Sequence, residues 1–232
     1  MPPRSRYRGE SNAYDTANNK VYLGDLLYSF PLGSDLTGWT LAGNTVPTIA
    51  SDGQIDLFDN INLANQTSEG YVTIPNTKGA FLGIFHCKFT KQADDTSGSN
   101  VQFLAMLNQS GAPVTGIGYQ YDSAIITLHW KGQVGFGTTR VLGAGVGVPV
   151  ASREFALDML FTPSYIVYLL DSVLLGTIPV GEIGNSPLPD AQTKSWFAND
   201  KRVYFQVRHN AGQVSHYRVR DIRVSRLVGT SV

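Results

Sequence analysis

An alternation of apolar and polar residues begins at Val21 and persists, in short runs, almost to the end of this 232-residue chain. A period of two is what a strand with one buried face requires, because successive side chains leave a strand on opposite sides. The runs are Tyr22–Phe30, Gln54–Phe58, Gly70–Ile74, Phe81–Phe89, Val101–Leu107, Gly116–Tyr121, Ile125–Trp130, Thr138–Leu142, Phe155–Phe161, Tyr165–Leu170, Val173–Ile178, Val203–Arg208 and Ser215–Leu227. Between them lie Ser51-Asp52-Gly53, Asn76-Thr77-Lys78-Gly79, Asn108-Gln109-Ser110-Gly111, Trp130-Lys131-Gly132 and Asn210-Ala211-Gly212. Each places glycine where left-handed backbone is cheap, and each reads as a hairpin connection. No segment holds a dozen residues of helical period, and Phe155, Leu157, Met159 and Phe161 keep strand alternation; helix is expected only as short turns near Val180–Gly184 or Thr193–Phe197. The expected fold is therefore all-β, with about 12 to 14 antiparallel strands hiding one face each in a sandwich.

Residues 1–20, with Arg4, Arg6, Arg8, Asn12, Asn18 and Asn19 and few aliphatics, have too little to bury and are expected to form a polar arm; residues 21–232 are expected to form one sandwich domain. The opening also lacks the apolar stretch of a secretion signal, so synthesis in a cytoplasm without a signal peptide is expected. No apolar run is long enough for a spanning helix, so no membrane insertion is expected. Eighteen basic residues balance eighteen acidic ones. That leaves no positive surface to replace counterions along phosphates, so no nucleic-acid partner is expected. Cys87 is the lone cysteine and sits in the apolar run Phe85-His86-Cys87-Lys88-Phe89, where a buried or half-buried thiol is expected and no disulfide can form within the chain.

The order of Phe30, Thr37-Gly38-Trp39, Gly53-Gln54-Ile55-Asp56-Leu57, the long strand Phe81–Phe89, the stretch Phe155–Ile178 and the closing Tyr217–Val224 resembles the concanavalin A-like jelly roll of legume lectins, laminin G domains and carbohydrate-binding modules. In that family a strand closing on Asp-Gly precedes a hairpin. Tyr165–Leu170 followed by Asp171-Ser172 is similar to it, with serine where glycine is usual. The resemblance implies a jelly-roll β-sandwich over roughly residues 21–230.

Catalytic patterns are missing from the sequence. A glycoside hydrolase needs two carboxylates flanking the scissile bond. Enzymes of the resembled fold carry them as Glu-x-Asp-x-x-Glu, and Glu10, Glu69, Glu154 and Glu182 have no such spacing. No serine lies in a Gly-x-Ser-x-Gly elbow, and Gly143-Ala144-Gly145-Val146-Gly147 lacks the third-glycine spacing and following helix of a dinucleotide loop. A non-enzymatic chain is expected. His209 and His216 flank one turn and are a candidate pair across a hairpin, with two ordinary surface histidines the alternative. The stretch Asp94–Asn100 offers oxygen ligands for calcium without matching a defined loop, so no metal is assigned and no cofactor expected beyond that calcium option.

Sugar recognition needs flat aromatic faces beside orienting polar groups. The candidates are Trp39, Trp130 and Trp196 at strand ends or loops, and Tyr119 and Tyr121 on one face of a strand. Candidate partner contacts are Arg4, Arg6 and Arg8 in the arm and Arg218 and Arg220 on one face of the last strand. The texture, Gly- and Asn-rich β-structure with a polar arm and no disulfide, is similar to bacteriophage structural proteins of lectin-like fold. The leading expectation is thus a virion-surface structural protein decorating or cementing a capsid or tail, partnered by other particle proteins. The alternative is a carbohydrate-binding adhesin with a cell-surface glycan as partner. A symmetric homo-oligomer is compatible with either.

Overall fold

The structure, a computed structural model, describes residues 14–15, 20–21, 23–59, 66–77, 82–95, 102–109, 116–122, 125–129, 140–142, 145–162, 165–179, 199–209 and 212–227. These residues form strands and no helix. The strands are β1 (Tyr14–Asp15), β2 (Lys20–Val21), β3 (Leu23–Phe30), β4 (Thr40–Gly43), β5 (Thr48–Ile49), β6 (Ile55–Asp59), β7 (Gln66–Ile74), β8 (Gly83–Lys91), β9 (Gln102–Gln109), β10 (Gly116–Asp122), β11 (Ile125–His129), β12 (Arg140–Leu142), β13 (Glu154–Phe161), β14 (Tyr165–Leu170), β15 (Val173–Pro179), β16 (Lys201–His209) and β17 (Ser215–Leu227). All pairings are antiparallel.

Two sheets carry the fold. An eight-stranded sheet runs β15-β14-β13-β8-β17-β6-β5, with β3 also on β17, and a seven-stranded sheet runs β12-β11-β10-β9-β16-β7-β4. Strand β8 shows why they stack: its burial alternates without a break from Gly83 to Lys91, so every second side chain enters the core. Phe85, Cys87 and Phe89 meet Phe103, Phe205 and their neighbours from the other sheet in one cluster. Phe89 lies 4.7 Å from the ring of Phe103 and 5.6 Å from Phe155, and Tyr217 stacks on Phe103 at 4.5 Å. Burying each such ring contributes about 1.5–3 kcal/mol. Cys87 sits in this cluster as expected, its thiol pushed up by burial.

Turn chemistry sets the connections, though two differ from the hairpins expected. Gly53, at φ +81°, closes the β5–β6 hairpin. The turn after β7, with Asn76 at φ 61°, and the one before β17, with Gly212 at φ 79°, instead lead from one sheet to the other. Glycine and asparagine signal positive φ, which a sheet-to-sheet crossing uses as readily as a hairpin does. Asp171 and Ser172, at φ 50° and 65°, form the tight turn between β14 and β15. Two successive positive φ values are the requirement that Asp-Gly usually meets. The Asp171 carboxylate accepts the Ala156 N–H at 2.8 Å, which ties this turn to β13.

The last strand changes partner along its length. One edge of β17 pairs with β6 over Ser215–Val219 and with β3 from Ile222 to Leu227, while its other edge follows β8. Asp221, at φ 52°, sits in the irregularity between Arg220 and Arg223 where the change occurs. At the other end, Lys201 opens β16 with its chain fully buried: Nζ donates to the carbonyls of Thr77 and Asn199, and burial pushes its pKa down to about 8.

Strands β4 and β5 were not legible in sequence, being short and nearly free of apolar alternation. Within the expected arm, β1 and β2 pair with each other, while Arg4, Arg6 and Arg8 lie outside the described residues, as do the two stretches read as helical turns.

Candidate functional site

On β16, Val203, Phe205 and Val207 point into the core, so Arg202, Tyr204 and Gln206 project from the opposite face of the seven-stranded sheet. Register extends this face sideways. Tyr204 stands opposite Tyr71 on β7 and Met106 on β9, and Gln206 stands opposite Glu69 and Leu104. Gly118 completes the first row, opposite Met106; a Cβ there would come within 2.2 Å of the Met106 Cβ, so methionine occupies the space a side chain at 118 would need.

The polar groups of this face are organised around Glu69. Tyr204 donates its hydroxyl to Glu69 Oε2 at 2.5 Å, and Gln206 Nε2 donates to the same oxygen at 2.6 Å and to the Tyr204 oxygen at 2.8 Å. Both donors to the carboxylate converge on Oε2, which leaves Oε1 without a partner among the described residues. The Tyr71 and Tyr204 rings stack at 6.4 Å, and the Arg202 guanidinium lies 4.2 Å above the Tyr71 ring. Tyr204, Gln206 and Arg202 are buried, while Tyr71 and Glu69 are half-buried. Burial, reinforced by the neighbouring carboxylate, pushes the Tyr204 phenol far up, so it stays a donor; burial pulls the Arg202 guanidinium down.

Chemically this is a pre-set acceptor beside an aromatic ring. Three buried side chains hold the carboxylate and ring in place, and the two half-buried groups are left to meet a ligand.

The structure places elsewhere the three described aromatic residues chosen from sequence, Tyr119, Tyr121 and Trp39. Tyr119 and Tyr121 do share a strand face, but it is the core face: they are 0% and 2% exposed, and the Tyr119 hydroxyl donates to the Gly147 carbonyl. A ring so enclosed offers nothing to a sugar, which corrects their assignment as ligand contacts. Trp39 is half-buried against the core, edge-on to Phe30 at 5.6 Å and stacked on Phe205 at 6.3 Å, with its indole N–H donated to the Tyr28 hydroxyl at 3.0 Å. These contacts take up part of its ring. Trp130 and Trp196 lie outside the described residues. Glu69, Tyr71, Tyr204 and Gln206 were missed because alternation marks two faces of a strand without saying which one meets the other sheet; the polar member in each alternate position was the available signal.

The outer face of the eight-stranded sheet has a different character. Arg218 and Arg220 share it, as expected, but are taken up within the chain: Arg218 donates to Asp56 at 2.9 Å and Asp52 at 3.0 Å, and Arg220 grips Glu154 through two bonds of 2.6 and 2.9 Å. His86 Nδ1 meets Asp158 at 2.7 Å, and Lys88 reaches Asp221 at 3.4 Å. His209 and His216 are not a pair across a hairpin, because their strands belong to different sheets. His209 faces Asp59 inside the sandwich at 3.8 Å, and His216 meets Asp56 and Asp94 outside it. The acidic stretch considered for calcium spends its described carboxylates internally, Asp94 on His216 and Asp95 on Lys91, and residues 96–100 lie outside the described set. Among the described residues no three or more His, Cys, Asp or Glu side chains are arranged so that they could hold a metal ion.

No protein-family model and no curated protein matches this sequence. Solved structures do match its fold. The potassium-bound carbohydrate recognition domain of Emp46p aligns with a TM-score of 0.60 at 9% identity, covering 85% of this chain and 95% of that one. A Bacillus subtilis protein of unknown function with a galectin-like fold aligns at 0.59 and 12% identity, covering 88% and 97%. The Crh5 transglycosylase in complex with NAG aligns at 0.56 and 12% identity, covering 88% and 86%. At such identities the likeness carries the fold alone: the chain is a two-sheet antiparallel sandwich of the galectin-like and concanavalin A-like kind.

Proposed function

We propose that this chain is a lectin-like carbohydrate-binding domain, without catalytic activity, that receives a sugar on the outer face of its seven-stranded sheet. The observation that carries the reading is the half-buried Tyr71–Glu69 pair backed by Tyr204, Gln206 and Arg202. A pyranose has an apolar face suited to the Tyr71 ring and hydroxyls suited to Glu69 Oε1, which has no partner among the described residues. The neighbours support it at the level of fold, one being a carbohydrate recognition domain and another a transglycosylase crystallised with NAG. Carriage on a virion, with particle proteins as partners through the arm, depends on residues outside the described set; there, the same site would serve adhesion to a host surface.

A glycan array with the full chain tests this. Saturable binding that is lost in Tyr71→Ala and kept in Arg220→Ala, on the other sheet, is the expected result. An array without any saturable binder, or binding untouched by Tyr71→Ala, overturns it.

A further inference from the structure

His216 projects from the outer face of the eight-stranded sheet, between strand β6 and the segment that follows β8. Its Nε2 lies 2.8 Å from Asp56 Oδ1 and its Nδ1 lies 2.7 Å from Asp94 Oδ1. An ionised carboxylate only accepts hydrogen bonds, and a neutral imidazole has a single N–H to give. A neutral ring would therefore turn one lone pair onto a carboxylate oxygen at hydrogen-bond distance. Both contacts are satisfied together when the ring carries two N–H groups and a positive charge. His86, on the same face, makes the contrast: Nδ1 is 2.7 Å from Asp158 but Nε2 is 3.8 Å from Asp221, and a single ring N–H satisfies that geometry.

The second carboxylate at His216 comes from outside the sheet. Asp94 is exposed and belongs to the segment Gln92–Asp95. The same histidine holds that segment through its backbone, its carbonyl accepting the Gln92 N–H at 3.0 Å and its N–H donating to Asp95 Oδ2 at 3.1 Å. We infer that His216 is a proton-operated latch: the doubly protonated ring ties the segment Gln92–Asp95 to strands β6 and β17, and loss of one ring proton releases Asp94.

The charges around the latch favour the closed form. Strand β6 contributes Asp56, and the tied segment contributes Asp94 and Asp95. Arg218, two residues along β17, opposes them but shares its charge with Asp56 and with Asp52 from the β5–β6 turn; Lys91 of β8 pairs with Asp95 at 3.2 Å. Phe58 covers one side, its ring 4.5 Å from the imidazole. Burial pulls the ring's pKa down, and the two aspartates more than offset it, so the value stands above the ordinary 6.5. Because the folded value is raised, the latch is fully closed below the ordinary value and opens as pH rises through the raised one.

The test is a pH titration of the full chain by nitrogen-15 NMR between about pH 5 and 9, reading the His216 ring nitrogens and the amide exchange of residues 92–95, with each unit of upward shift corresponding to about a tenfold tighter hold on the proton. The expected result is a ring with two N–H groups that titrates above 6.5, with exchange at residues 92–95 accelerating in the same step. Asp94→Asn, a change at an exposed position, lowers that midpoint; His216→Gln removes the step. A ring titrating at or below the ordinary value, or amides of residues 92–95 indifferent to its titration, overturns the latch. The Asp94→Asn midpoint decides the matter even where His216→Gln fails to fold.

Discussion

The two outer faces of this sandwich use polar residues in opposite ways. On the eight-stranded sheet, Arg218, Arg220, His86, His216 and Lys88 are matched to Asp52, Asp56, Asp94, Asp158, Asp221 and Glu154 in partly exposed pairs. On the seven-stranded sheet, a buried tyrosine, amide and guanidinium support one carboxylate and one ring. Solvent can replace a partner lost from the first face. It cannot readily do so on the second, where a donor deprived of its acceptor bears its full desolvation cost. Polar surface that is satisfied internally is scaffold, whereas polar surface held in place with an oxygen to spare is suited to a ligand.

The sharpest way to break this contrast is Glu69→Ala, which strands the buried Tyr204 hydroxyl as a donor and takes from the Gln206 amide one of its two acceptors. A loss of about 3 kcal/mol in urea unfolding is expected. Equality with Glu154→Ala would show that the two faces are energetically alike. Tyr204→Phe removes one donor and keeps the ring stack. It is expected to cost about 1–2 kcal/mol and to weaken glycan binding less than Tyr71→Ala does.

Acid sharpens the comparison from the other side. His216 and Arg218 hold the Asp56 carboxylate below its ordinary 3.8 against the opposing effect of burial. With a lowered folded value, its contribution is present above 3.8 and is lost as pH falls through the lowered one. Melting temperature against pH is expected to drop there in the wild type and to a lesser degree in Asp56→Asn. The smallest effect belongs to Arg220→Ala. Its bidentate pair with Glu154 is part-exposed, so a cost below about 1 kcal/mol, shrinking as salt is added, is expected from thermal melts at low and high ionic strength.

Most of the strand layout was legible because burial on one face writes itself into sequence every second residue: β14 and β17 match their runs end to end, and β8, β13 and β16 differ from theirs by a few residues. Strands β4 and β5 were not, since short edge strands have little to bury. The site was less legible than the fold. Period two says that Tyr119 and Tyr121 face one way and Tyr204 and Gln206 another relative to their neighbours, but the direction of the second sheet is a tertiary fact. Aromatic content pointed to Trp39, whose ring stacks on the core residue Phe205, and an ordinary Glu-Gly-Tyr inside β7 gave no local sign that two residues of β16 would converge on it.

The single thiol of Cys87 lies at the midpoint of β8, fully buried between the sheets. A membrane-permeant or small aqueous alkylating reagent can therefore reach it only in moments when the two layers separate. Mass-resolved alkylation of the unmodified chain becomes a stopwatch for the parting of the sandwich, needing no introduced label, and it reports whether a bound sugar slows the breathing of the layer beneath it.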